Sequence, residues 1–208
     1  MDRKTANTNL FIIVHLLGLF LIMIVVSAKT QFFSNPWVAF VYYLFFVIAP
    51  VFLYIIFAER QRPFKALRMT HQPLRSSAIG ILIGGVIWVV FFLLNRFGPE
   101  QTTINTGVSF LLIVGTVFAG FAEEILFRGF ILPRLMTQMT FVKANIFSAI
   151  LFAALHTAAL LQAGALLIPK IILLFIISLW LGYLFKKTRS LWTTIWVHVL
   201  YNLAVLFF

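Results

Sequence analysis

The sequence predicts an all-α fold, a polytopic transmembrane helix bundle of about seven spans with its N-terminus inside. Three observations predict it. First, 62% of the 208 residues are hydrophobic and only 10% are charged. A soluble domain carries roughly 25% charged residues, so this chain cannot cover itself with a water-compatible surface. Second, the apolar residues fall into long runs separated by short basic loops. Third, the basic residues alternate between loops as membrane topology requires. No shift in composition marks a second domain, so residues 1–208 read as a single membrane domain.

A membrane helix needs about 20 mostly apolar residues, and seven segments supply them. Leu10–Ala28 comes first, behind Arg3 and Lys4. It ends Val26-Ser27-Ala28, which resembles a signal-peptide cleavage site, but the run is long for a leader and reads better as a span. Trp37–Ala58 follows, then Ser77–Leu94, whose Gly80, Gly84 and Gly85 suit close helix packing. Gly107–Leu132 is fourth and contains Glu123, Glu124 and Arg128, with Gly115 and Gly120 on the same span. Ala144–Leu161, Leu166–Phe185 and Leu191–Phe207 complete the set. The chain has no convincing internal repeat and no low-complexity tract.

Reading the loops alternately from an inside N-terminus assigns Arg3, Lys4, Arg60, Arg62, Lys65, Arg68, Arg75, Arg134, Lys143, Lys186, Lys187 and Arg189 to the inner surface. Only Lys29, Arg96 and Lys170 fall outside. This bias fixes orientation and supports the span count together, because losing one span would scramble the alternation. It also accounts for the net charge of +11, so no nucleic-acid partner is needed to explain it. The absence of cysteine excludes disulfides, thiolate metal sites and a cysteine nucleophile. The expected location is a cell membrane, multi-pass, with short loops and compact length pointing to a bacterial cytoplasmic membrane.

Ionisable residues inside a membrane are costly and are functional hypotheses by default. They are concentrated here: Glu123, Glu124 and Arg128 on the fourth span, His156 on the fifth, His198 and Asn202 on the seventh. His15 on the first span is isolated. At 1.5 Å rise per residue, Glu123, Glu124 and Arg128 lie about 15, 13 and 7 Å from the inner end of their span. His156, His198 and Asn202 come out at about 18, 10 and 17 Å. Three helices thus bring polar groups to one layer near the midplane.

Helix spacing separates the two carboxylates. Glu124 and Arg128 stand at i and i+4 in the favourable ion-pair order, so their natural reading is a structural pair. Glu123 points about 100° away around the helix and is free to face another helix. Desolvation makes such a lone carboxylate a stronger proton acceptor, which suits general-base work. His198 and Asn202 share the i, i+4 relation and can present donors to one point. Phe152 and His156 share it as well, which sets a ring beside the imidazole. On the residues alone, an interhelical hydrogen-bond network that only holds the bundle together is the competing account.

Glu123-Glu124-Ile125-Leu126-Phe127-Arg128 resembles an EExxxR motif, Phe152 to His156 an FxxxH motif, and His198 to Asn202 an HxxxN motif. In this order on consecutive spans they resemble the CPBP family: type II CAAX prenyl endopeptidases with bacteriocin-processing and immunity relatives. The motif-bearing core covers residues 107–205, and the first three spans carry no signature. The resemblance implies intramembrane peptide-bond hydrolysis without a cofactor. Glu123 and His156 would activate a water. His198 and Asn202 would stabilise the oxyanion, with Glu124, Arg128 and Phe152 in support. The implied partners are the lipid bilayer and a peptide or lipidated-protein substrate, while oligomeric state stays open.

Three other functions fit parts of the pattern. Two glutamates and two histidines can serve as zinc ligands, although HExxH is absent and the same side chains would have to act as base and oxyanion donors. A non-catalytic scaffold or immunity partner needs the network but no turnover. A proton-coupled transporter would more naturally show inverted repeats and broken helices.

Overall fold

The computed structural model describes residues 3–27, 36–98, 105–160 and 166–208, and every regular element in them is helical. The helices are α1 (Arg3–Ser27), α2 (36–58), the short α3 (Pro63–Ala66), α4 (Pro73–Phe97), α5 (Phe110–Leu135), α6 (Phe141–Leu160), α7 (Leu167–Thr188) and α8 (Leu191–Phe207). Five of them, α1, α2, α4, α5 and α7, are long and apolar enough to cross a membrane. The remaining two expected spans are shorter apolar stretches, Phe141–Thr157 within α6 and the 17-residue α8. The chain is therefore a multi-pass membrane protein. Of the expected boundaries, Ala28 and Leu161 lie outside the described residues, as does the basic loop residue Lys29.

The helix ends follow local chemistry. Ser109 caps α5 by accepting from the Leu112 amide at 3.2 Å. Pro63 and Pro73 stand at helix starts, where the missing N–H costs nothing. Arg189 ends α7 in the left-handed conformation at φ 54°.

Large apolar side chains face outward, as hydrocarbon surroundings demand. Leu82 is 71% exposed and Phe97 74%. The interior holds the ionisable groups instead, with Glu124 at 0% and Arg128 at 1%. The most enclosed of the five long spans is α5. It packs on α2 and α8, while α8 also lies along α4 and α7, α6 pairs with α7, and α1 lies against α6. Phe127, Phe130, Phe152 and Phe185 are fully buried in this core.

Three of the expected small-residue contacts are real, at Gly80, Gly84 and Gly120. A Cβ at Gly80 would approach Thr193 O within 2.6 Å, and one at Gly84 would collide with Leu200. Glycine at both lets α4 and α8 approach closely. Gly85 has nothing within 4 Å, so its place in that stripe is not used for packing. Gly120 allows Val199 of α8 to sit against α5 in the same way.

Two helices widen into π-helical turns, over Tyr43–Ile48 and Tyr54–Ala58 in α2 and over Ile125–Ile131 in α5. The stretches ending at Ile48 and Ile131 are each followed two residues on by a proline, Pro50 and Pro133. Proline removes the amide that would bond the carbonyl four residues earlier, which leaves Phe46 O and Gly129 O to be satisfied otherwise. His15 Nε2 donates to Phe46 O at 2.7 Å. Arg134 Nη1 lies 3.5 Å from Gly129 O and 2.9 Å from Phe130 O. The isolated intramembrane histidine thus has a structural task. Arg134 also grips Glu59 with two bonds of 2.8 and 2.5 Å, tying the end of α5 to the end of α2.

Candidate active site

The site is built around the first half of the widened turn in α5. Glu123 and Glu124 are the last residues before the π-helical stretch, and Arg128 lies within it. Such insertions re-aim side chains and are frequent at functional sites. The Glu124–Arg128 pair survives the widening, with Nη1 donating to Oε1 at 2.6 Å. Arg128 Nη2 donates to Ser178 O and Ser178 Oγ of α7 at 3.0 and 2.9 Å. The guanidinium also stands 5.0 Å from the centre of the Phe152 ring. A fully buried cation is tolerable only when paired and bonded in this way.

Glu123 faces the other direction and meets three helices. Tyr43 of α2 donates its hydroxyl to Oε1 at 3.0 Å. His156 Nε2 lies 3.5 Å from Oε2, and His198 Nε2 lies 3.7 Å from the same oxygen. The histidines are held from behind. His156 Nδ1 is 2.8 Å from the Phe152 carbonyl, an acceptor only, so Nδ1 carries a proton and a neutral ring leaves Nε2 as an acceptor. His198 Nδ1 is 2.8 Å from Glu124 Oε1, so Glu124 bonds Arg128 and His198 through the same oxygen. Phe152 packs its ring 4.3 Å from His156 and 5.9 Å from His198.

Six of the seven residues singled out in the sequence, Glu123, Glu124, Arg128, Phe152, His156 and His198, therefore form one contiguous cluster. Asn202 is not hydrogen-bonded into it. It sits half-buried one turn beyond His198 on α8, with no hydrogen bond to any of the six. Two relations were missed. Tyr43 lies on a span with no motif, and only its place just before Pro50 in an apolar run marks that helix as irregular. The Glu124–His198 bond gives Glu124 more than a structural pair with Arg128, and no local spacing signals a contact between residues so far apart.

Two cavities approach the cluster. One, of about 300 Å³, lies between α1, α2, α5 and α6, with Glu123, Tyr43 and His156 in an otherwise apolar wall that includes Leu126 and Leu155. The other, of about 380 Å³, lies between α4, α7 and α8 and reaches His198 and Tyr201. Among the described residues, no group of three His, Asp or Glu is arranged to hold a metal ion.

Comparison with known proteins gives one family. Its model, described as Type II CAAX prenyl endopeptidase Rce1-like, matches residues 105–204, the stretch from the start of α5 to near the end of α8. No curated protein and no solved structure matches the chain.

Proposed function

Because the chain belongs to the Rce1-like type II CAAX prenyl endopeptidase family through residues 105–204, we propose that it is an intramembrane endopeptidase whose Glu123 and His156 activate a water against a peptide bond. The observation that supports this most is the pair of acceptors at the cavity wall: Glu123 Oε2 and His156 Nε2, 3.5 Å apart. Two acceptors that close require a molecule or proton that donates to both, and a water offers two donors. The Phe152 carbonyl fixes the His156 ring so that Nε2 faces the carboxylate.

In the proposed reaction the water oxygen attacks the carbonyl carbon as Glu123 takes its proton. The carbonyl oxygen becomes an oxyanion, facing His198 and Asn202 in the role the family pattern assigns them. Glu124 Oε1 holds the His198 ring through Nδ1 at 2.8 Å, which aims Nε2 toward the reacting centre. Collapse breaks the C–N bond, and Glu123 returns the proton to the leaving nitrogen. The products are a carboxylate and an amine. Tyr43, bonded to the oxygen of Glu123 that does not face the histidines, restrains the carboxylate.

The substrate is a membrane-associated peptide or lipidated protein, in keeping with the apolar wall of the cavity beside Glu123. The protein lies in a cell membrane with its N-terminus inside, an orientation supported by the loop charges. A reporter fused after Phe208 is expected to be active outside the cytoplasm, and a cytoplasmic signal overturns that orientation. The reaction is tested by comparing peptides released by membranes containing wild type or Glu123→Gln. New peptide termini present only with wild type support hydrolysis. Identical peptide sets, with the cellular phenotype retained by the variant, favour a scaffold or immunity partner.

A further inference from the structure

One end of the bundle carries a basic hollow that the peptidase reading does not use. It measures about 540 Å³ and lies between the segment after α3 and the end of α7. Lys65, Arg68, Lys186 and Arg189 supply four fixed positive charges around it, and His71 adds a fifth basic group. Half-buried Met136 and the edge of the otherwise buried Phe185 are its apolar lining. Arg68 stands over the Phe185 ring at 5.3 Å, so that guanidinium is held at the hollow.

No described carboxylate neutralises these charges. Glu59 is bound to Arg134, and Glu123 and Glu124 are inside the active-site cluster. The backbone adds a second observation. Among the described residues four non-glycine positions have positive φ, and two are the arginines of this hollow, Arg68 at 56° and Arg189 at 54°. That region is sterically unfavourable for residues with a Cβ, and such outliers cluster at ligand clamps. Glycine would relieve both positions, yet arginine occupies them.

We propose that this hollow binds the phosphate of an anionic phospholipid headgroup, with the half-buried Met136 at its edge meeting the glycerol and first methylenes. The hollow lies where the long apolar helix α7 ends and α8 begins, and the end of an apolar span is where a headgroup would be met. Basic pockets between helices at a membrane surface are the recognised chemistry for such headgroups.

The test uses the purified full chain in a neutral detergent, titrated with dihexanoyl-phosphatidylglycerol, dihexanoyl-phosphatidylcholine or inorganic phosphate while the thermal midpoint is followed. Phosphatidylglycerol should raise the midpoint in a saturable way, and the other two should not. The Arg68→Gly/Arg189→Gly variant removes both guanidiniums while suiting the left-handed backbone, so without lipid it should melt no lower than wild type. Its half-saturating phosphatidylglycerol concentration should rise about 25-fold, roughly fivefold for each cation near an anionic lipid. Lys65→Gln/Lys186→Gln leaves the left-handed positions intact and should weaken the response in the same direction. Arg60→Gly/Arg62→Gln removes two charges outside the hollow and should stay within about twofold of wild type.

Retention of the full response by both hollow variants overturns the proposal. So does an equal loss in Arg60→Gly/Arg62→Gln, which would make the effect one of overall charge. A response to inorganic phosphate equal to that with phosphatidylglycerol assigns the hollow to a free anion and overturns the lipid source.

Discussion

Replacing Glu124 by glutamine removes one negative charge from a site where a single carboxylate oxygen serves two partners. Arg128 Nη1 approaches Oε1 at 2.6 Å and His198 Nδ1 at 2.8 Å. Breaking a buried ion pair on one side costs about 3–5 kcal/mol. The lower end applies here, because Arg128 keeps both bonds to Ser178 and the glutamine carbonyl still accepts. A loss of about 3 kcal/mol lowers the melting temperature by about 6–12 °C in a chain of this size. Activity should fall as well, beyond any loss of folded protein. A hydrogen bond to a charged group contributes about 1–1.5 kcal/mol more than one to a neutral amide, and His198 keeps only the weaker kind, so kcat should drop about 5- to 13-fold. The combined Glu124→Gln/Arg128→Met variant separates the two effects. It leaves no unpaired buried cation and should regain at least half of the lost stability, while the kcat defect remains. The assay is thermal melting and peptide cleavage per folded molecule for wild type and both variants in one detergent. A double variant that regains stability and full activity refutes the bond from Glu124 to His198 as a working part of the site. A single variant as stable as wild type refutes the claim that Arg128 depends on Glu124.

Tyr43→Phe deletes only the hydroxyl that bonds Glu123 Oε1, so kcat should fall about tenfold, the worth of one such bond. KM should barely change, and a change in KM alone would assign Tyr43 to substrate contact instead. His15→Leu should cost about 1–3 kcal/mol by orphaning the Phe46 carbonyl, and much less in a Pro50→Ala background, where the restored amide bonds that carbonyl. Equal costs in the two backgrounds, measured by thermal or denaturant unfolding, contradict that account of His15. Chelators should leave peptide cleavage intact, since Glu123 and His156 suffice as acceptors for a water. Stoichiometric zinc in the purified protein, with activity lost on chelation and regained on zinc addition, would reverse that expectation.

Much of the helical layout was legible because hydrocarbon solvent imposes a simple rule: long apolar runs with polar breaks. The same rule exposed Glu123, Glu124, Arg128, His156, His198 and Asn202, because an ionisable or amide side chain in such a run has to be explained. Spacing of four residues predicted the Glu124–Arg128 pair and the Phe152–His156 contact, both of which are local. Tyr43 and the Glu124–His198 bond were not legible, because each depends on how separate helices rotate against one another. The widened turns were half legible. Pro50 and Pro133 mark where helical bonding must fail, but the sequence does not say which side chains will satisfy Phe46 O and Gly129 O. Asn202 lies on the expected face of α8 and within one turn of His198, yet it makes no hydrogen bond to the cluster. Its spacing fixes its position along the helix, and contact depends on what occupies the space beside it.

The central claim is that Glu123 accepts the proton of the attacking water, and Glu123→Gln tests it most directly. Glutamine keeps the size of the side chain and can still accept from Tyr43, but it cannot take that proton. Single-turnover cleavage of a membrane-associated peptide, normalised to folded protein, should fall about 10²- to 10⁴-fold, with the melting temperature close to that of wild type. Cleavage at the wild-type rate by folded Glu123→Gln contradicts the account.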